Sequence, residues 1–254
     1  MDFNPVLLNM QPRYIEAAIN SIKESANFPR VFFRAYTEPQ VIEEMNKFIR
    51  ETNYSHYIIH GDDTILPKKT VDTILHYAQI GTTDVLTGWM NMKLERRWHK
   101  EGTIIRDWDK YELGEESTVC LYKLPPIREP QRGPYADEYP QRETVVSMSY
   151  RLKELLQVSV ACFAFTCAPR NIFIKYPLSV HPSGAASDHQ WSYRLQEAGI
   201  KIWTHPDAFV KHLKRYYALH GDWEWLTGRY TPETILETDI TRVSTGWKSR
   251  EDYV

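Results

Sequence analysis

Short apolar runs alternate with amphipathic stretches through the first third of the chain. Residues 5–10 (PVLLNM) form an apolar run of strand length. In residues 12–25, Ile15, Ala18, Ile19 and Ile22 recur at helical spacing, and Pro12 suits the first turn of that helix. Residues 30–36 (RVFFRAY) predict a second strand. Residues 38–52 predict a second helix through Val41, Met45, Phe48 and Ile49, and residues 54–60 (YSHYIIH) a third strand. A further helix is expected over 67–79, with Pro67 near its start, and a fourth strand over 84–90 (DVLTGWM). Strand–helix–strand order of this kind predicts parallel β-α-β units with right-handed crossovers.

The pattern weakens after that. Residues 91–123 are charged and aromatic and predict hairpins and loops. Residues 124–144 hold five prolines and almost no aliphatic side chain, which predicts a long functional loop, a lid, rather than a domain boundary. Within it Arg128, Arg132, Tyr135 and Tyr139 could touch a substrate. Residues 158–166 (VSVACFAFT) predict a strongly apolar strand, followed by a turn or short helix over 168–174. Residues 188–198 predict a helix closed by Gly199. Two short strands are expected at 200–205 and 208–212, and a short helix at 232–237. The expected whole is one α/β domain over 1–254 with a C-terminal extension from 215.

Composition narrows the class. The chain has 254 residues, 42% hydrophobic and 25% charged, as in an ordinary globular protein with a sizeable core. A formal net charge of -2 gives no overall pull toward nucleic acid or an anionic membrane. Three cysteines with no CxxC pair argue against a cysteine zinc site and for a reducing compartment. Cys162 and Cys167 lie in an apolar run and are expected to be buried. No apolar stretch reaches the length of a membrane-spanning helix, and the N-terminus lacks a signal-peptide pattern. A cytoplasmic protein is expected, free or peripheral at a membrane surface.

Candidate chemistry sits at strand ends, where open α/β sheets bind ligands. The third predicted strand runs straight into Gly61, Asp62 and Asp63. Adjacent carboxylates in a partly desolvated place repel each other, and a divalent cation offsets that repulsion. Mg2+ typically takes one or two protein carboxylates and completes its shell with phosphate oxygens and water. Asp63 is therefore a candidate ligand for a metal on a diphosphate, with Asp62 on a sugar hydroxyl. A solvated turn with Asp62 capping the next helix is the plainer alternative. Asp188 follows the small, flexible stretch 183–186 at a helix start, placed either to accept a proton from an acceptor hydroxyl or to cap the helix. His212 ends a strand and could complete an oxygen-rich metal site, with His205 its competitor.

Taken together, these elements resemble glycosyltransferases of the GT-A fold, particularly the family 2 type. HGDDTILP at 60–67 resembles the strand-end acidic cluster followed by a hydrophobic residue and Pro. VACFAFTCAPRNIF at 160–173 is similar to the later apolar stretch. SDHQWSYRLQEAG at 187–199 resembles the helix that an Asp opens and a Gly closes, and IKIWTHPDAFVKH at 200–212 the strand leading to a metal-binding His. The resemblance spans roughly residues 5–212 in element order. It implies a GT-A, Rossmann-like, mixed but mainly parallel sheet flanked by helices. It also implies Mn2+ or Mg2+ on Asp63, Asp62 at the ribose or metal shell, His212 at the metal or diphosphate, and Asp188 as catalytic base. The implied partners are a nucleotide-sugar donor and a carbohydrate, lipid or protein acceptor. Inversion at the transferred sugar is the expected outcome, although retaining enzymes share the same framework, and the charge balance points to no nucleic acid.

The chain departs from the family pattern at three places. Gly61 stands where many relatives carry the first Asp. The first strand ends in Asn9-Met10-Gln11-Pro12-Arg13 rather than the usual segment, leaving Arg13 to reach a phosphate. The second lacks the usual acidic residue that reads uracil, and Glu38 is the candidate substitute. Two rivals share these features: a metal-dependent nucleotidyl or phosphoryl transferase, and a non-catalytic nucleotide-sugar binding or scaffold protein on the same fold. No G-x-x-x-x-G-K-[ST] phosphate loop is present.

Overall fold

A computed structural model describes residues 2–12, 15–81, 84–93, 99–100, 103–104, 117–119, 128–130, 140–141, 154–180, 187–213 and 231–238. The chain begins with β1 (Pro5–Gln11), α1 (Glu16–Ser25), β2 (Arg30–Arg34), α2 (Glu38–Glu51) and β3 (His56–His60). β4 (Thr64–Ile65), α3 (Lys68–Ile80) and β5 (Val85–Trp89) follow. Six strands of two or three residues come next: β6 (Asn91–Lys93), β7 (His99–Lys100), β8 (Thr103–Ile104), β9 (Ser117–Val119), β10 (Arg128–Pro130) and β11 (Pro140–Gln141). They pair antiparallel as β6 with β9, β7 with β8, and β10 with β11. The remaining elements are β12 (Leu156–Val158), β13 (Thr166–Pro169), α4 (Arg170–Lys175), α5 (Ser187–Glu197), β14 (Ile202–Phe209), β15 (Lys211–His212) and β16 (Glu233–Glu237).

One mixed sheet of eight strands, in the order β12-β14-β5-β13-β3-β1-β2-β16, carries the fold. β1, β2, β3, β5 and β14 run one way, and β12, β13 and β16 run against them. The chain passes from β1 outward to β2 and then back across to β3. Two right-handed crossovers in opposite directions place α1 and α2 on opposite faces. α1 packs on α3, and α2 packs on α4. Sheet strands covered on both faces lose the polar alternation of a half-exposed strand. Accordingly Val6, Leu7, Leu8, Tyr57, Ile58 and Ile59 are all fully buried. Each such side chain contributes about 1.5–3 kcal/mol through removal from water.

The helix ends follow local chemistry. α2 opens with a capping box between Thr37 and Gln40, and its last carbonyls accept hydrogen bonds from the Arg170 guanidinium. α5 closes at Gly199, whose φ of 74° suits a residue without Cβ, while Ile200 N–H donates to Leu195 O at 2.9 Å. Trp191 of α5 stacks on Phe173 of α4, with centroids 5.1 Å apart, and its indole N–H donates to Tyr176 O.

Several expectations are corrected. Helix α1 starts at Glu16, after an Ile15 N-cap, so Pro12 lies outside its first turn. The apolar run 158–166 is not one strand. β12 stops at Val158, and residues 159–165 form a buried turn. Side chains satisfy the backbone of that turn: Ala161 N–H donates to Ser192 Oγ at 2.9 Å and Cys162 N–H to Thr87 Oγ1 at 2.8 Å. The two strands expected at 200–205 and 208–212 are instead β14, with an irregular register, and the short β15. The helix expected at 232–237 is β16, an edge strand whose Glu233 and Glu237 pair with Arg34 and Arg30 at 2.8 and 2.7 Å. Within the proline-rich 124–144, expected to be structureless, β10 and β11 pair; Arg132, Tyr135 and Tyr139 lie outside the described residues. Cys162 and Cys167 are buried, as expected, and burial pushes the Cys167 thiol up from its ordinary pKa.

Candidate functional site

β1 sits between the parallel strands β2 and β3, so the order in which the chain adds strands reverses at β1, and open sheets of this kind bind ligands beyond the carboxyl ends of the strands at such a point. The Asp62-Asp63 turn leaves the carboxyl end of β3. It continues into β4, which pairs antiparallel with β15, placing Thr64 opposite His212. Leu213 N–H donates to Asp63 O at 2.7 Å, which fixes the backbone of the turn against the end of β15.

This pairing brings two distant candidates into contact. His212 Nε2 lies 3.1 Å from Asp63 Oδ2, across 149 positions of sequence. The imidazole is nearly buried, with 8% of its side chain exposed, whereas the Asp63 side chain keeps 24%. Asp62 is buried at 5% exposure. α3 begins after Pro67 with no side-chain cap, so Asp62 does not cap it. His205, the competitor, lies away from this contact. Its Nδ1 accepts from Asp207 N–H at 3.1 Å, and its ring packs on Tyr77.

The turn rests on a buried polar network. His60 is fully buried beneath it, with Nδ1 3.0 Å from Asn9 Nδ2 and Nε2 3.0 Å from Thr64 Oγ1. Desolvation lowers the His60 pKa to about 3, against the opposing pull of Asp63, so the ring is neutral. The pattern of apolar residues marked His60 only as a strand end. Its signal is a histidine in an apolar run, and Asn9 is likewise a polar residue in a buried strand. Gln11, at the end of β1, is buried, and among the described residues neither of its amide atoms, nor Asn9 Oδ1, has a hydrogen-bond partner.

A second group forms at the end of β2. Glu38 opens α2, and its Oε1 accepts from Ser187 Oγ at 2.7 Å, tying α2 to the start of α5. Asp188 lies in the first turn of α5, where the helix dipole favours a carboxylate, and its Oδ1 accepts from His189 N–H at 2.8 Å. The turn before Glu38 carries Ala35 at a φ of 59°, a left-handed conformation uncommon for a residue with a Cβ. Arg13 lies outside the described residues. Gly61 has no steric need to be glycine: an added Cβ would meet Phe163 O and Asp63 Oδ1 only at 3.6 and 3.7 Å.

A carboxylate oxygen and an imidazole nitrogen in contact are donor types that a divalent cation accepts when phosphate and water complete its shell. No group of three His, Cys, Asp or Glu side chains converges among the described residues.

No family model matches the sequence, and no curated protein matches it. Among solved structures, the chain is similar to GalNAc-T7 with UDP, GalNAc and Mn2+, at 9% identity and a TM-score of 0.50. That alignment covers 83% of this chain and 44% of the GalNAc-T7 chain. The fold is GT-A-like. Other similar structures are A197 from STIV, at 9% identity and a TM-score of 0.44, covering 79% of this chain and 81% of that one. The synthetase of CMP:2-keto-3-deoxy-manno-octonic acid, complexed with CTP, aligns at 13% identity and a TM-score of 0.42, covering 82% and 90% of the two chains. Among the described residues, no helix is long and apolar enough to cross a membrane.

Proposed function

We propose that this protein is a metal-dependent glycosyltransferase that moves a sugar from a nucleotide diphosphate to an acceptor hydroxyl, with inversion. The observation that carries the reading is the Asp63–His212 contact, next in sequence to buried Asp62, beyond the end of β3 where the order of strand addition reverses. Asp63 and His212 would hold Mn2+ or Mg2+, with Asp62 toward the ribose or the metal shell. The bound cation supplies neutralisation of the charge gathered by the departing diphosphate. The GalNAc-T7 structure, of similar fold, carries that ligand set: UDP, a sugar and Mn2+.

The chain's own side chains account for the rest. Asp188, at the start of α5, takes the proton of the acceptor hydroxyl as that oxygen attacks the anomeric carbon from the face opposite the diphosphate. The Ser187–Glu38 hydrogen bond fixes the start of α5, and with it the residue after Ser187, against the start of α2. Glu38, and Arg13 beyond the end of β1, are the groups proposed to meet the nucleotide and its phosphates.

The test is incubation with UDP-, GDP-, CDP- and dTDP-sugars labelled in the sugar, with Mn2+ and a panel of carbohydrate, lipid and peptide acceptors. Labelled sugar on an acceptor supports the reading. Labelled nucleotide joined to an acceptor would instead make the protein a nucleotidyltransferase. Binding of a nucleotide sugar without turnover on any acceptor would leave it a binding protein.

A further inference from the structure

We propose that His60 is a positioning residue for the Asp62-Asp63 turn, acting through Thr64 as a strut that sets where Asp63 meets His212. The proposal rests on reading Asp63 and His212 as the metal site.

The direction of each hydrogen bond in the network follows from its acceptors. Asn9 Nδ2 lies 3.2 Å from His60 O, 3.1 Å from Gly61 O and 3.0 Å from His60 Nδ1. Two of these partners are carbonyl oxygens, which only accept, so the amide nitrogen must face them. The same nitrogen then faces the ring; it cannot accept, so Nδ1 carries no proton and shares the two amide hydrogens with the carbonyls. The ring proton is therefore on Nε2, which donates to Thr64 Oγ1 at 3.0 Å. One imidazole thus spans the turn from the last residue of β3 to the first residue of β4, and Asn9 holds the turn's first carbonyls from β1.

The chemistry of burial argues for a purpose. A fully buried imidazole costs desolvation that an aliphatic side chain in the same apolar run would avoid. Packing alone does not require His60, since its neighbours Ile58 and Ile59 fill buried positions of β3 with apolar groups. What the ring adds is a fixed link to Thr64, which lies opposite His212 in the β4–β15 register and directly follows Asp63. Side chains that orient metal ligands from behind are commonly worth about 10- to 100-fold in metal affinity.

The experiment compares the full chain with His60→Leu, His60→Gln, Thr64→Val and the His60→Leu/Thr64→Val double variant. Mn2+ alone is titrated and free Mn2+ read by electron paramagnetic resonance, with the thermal unfolding midpoint measured on the same samples. His60→Leu and Thr64→Val should each weaken Mn2+ binding about 10- to 100-fold while the protein stays folded. His60→Gln keeps an N–H donor and should recover most of the loss. The double variant should bind no worse than the weaker single one, because both remove the same link. Parent-like Mn2+ affinity in both single variants would overturn the proposal, as would losses that merely track the fraction unfolded. If the parent itself binds no Mn2+, the metal reading fails, and a crystal structure of Thr64→Val decides the positioning claim. A displaced Asp63–His212 contact would support it, and an unchanged one would overturn it.

Discussion

His60 is the residue where sequence and environment disagree most. Its pKa falls to about 3 in the folded protein, from an ordinary 6.5. The unfolded chain therefore takes up a proton below about pH 6.5 that the folded ring refuses. Folded-state stability from this group is complete above that pH and drains as pH falls toward 3, by up to about 1.4 kcal/mol per pH unit. His56, also lowered by burial, adds in the same direction. Urea midpoints should drop between pH 7 and pH 4.5, and His60→Gln should flatten that slope. An equal slope in parent and variant would remove His60 from the acid response. Asp188 makes the matching prediction for chemistry. Asp188→Asn should keep nucleotide-sugar binding and lower sugar transfer about 10²- to 10⁴-fold, measured as turnover at saturating donor. Transfer at the parent rate would end its role as base. Asp62, Asp63, Asp188 and His212 were all visible in the sequence because each stands at a predicted element boundary. Asn9 and His60 were not singled out, because a polar residue inside a buried strand shows its purpose only once its partners from another strand are known.

At the scale of elements, the first half of the chain was legible and the second half less so. β1 to α3 follow periodicity closely, since each helix buries one face and each strand is covered on both. The run 158–166 misled because burial, not a strand ladder, explains its apolar side chains. Thr87 and Ser192 supply the hydrogen bonds that a neighbouring strand would have given. β16 departs from the expected helix because its ladder with β2, reinforced by the Glu233–Arg34 and Glu237–Arg30 ion pairs, holds it extended at the sheet edge. Gly88 on β5 is an element-scale requirement. A Cβ there would meet Ala208 O at 3.0 Å, Val210 Cγ2 at 3.1 Å and Phe165 Cβ at 3.3 Å. The backbone oxygen cannot swing aside, and Gly88 N–H is itself bonded to Phe165 O. Gly88→Ala should cost about 1–3 kcal/mol of unfolding free energy, read from urea titrations. A parent-like midpoint would show that β5 and β14 can separate at little cost.

For the whole molecule, topology is what brings the candidate residues into contact. β3 delivers Asp62 and Asp63, β15 returns His212 from the far end of the sequence, and α2 and α5 meet at Glu38 and Ser187. These contacts join segments about 150 residues apart, as the 149-position separations of Asp63–His212 and Glu38–Ser187 record. Periodicity reports only neighbours along a helix or strand, so such meetings were reachable from sequence solely through the resemblance to a known fold. Calorimetric titration of UDP, GDP, CDP and dTDP, with and without Mn2+, into the parent, Asp63→Ala and His212→Ala reads the central claim most directly. At least one nucleotide should bind the parent only when Mn2+ is present, and both variants should lose that binding while remaining folded. Mn2+-dependent binding that survives both substitutions, or none to the parent, would contradict the account.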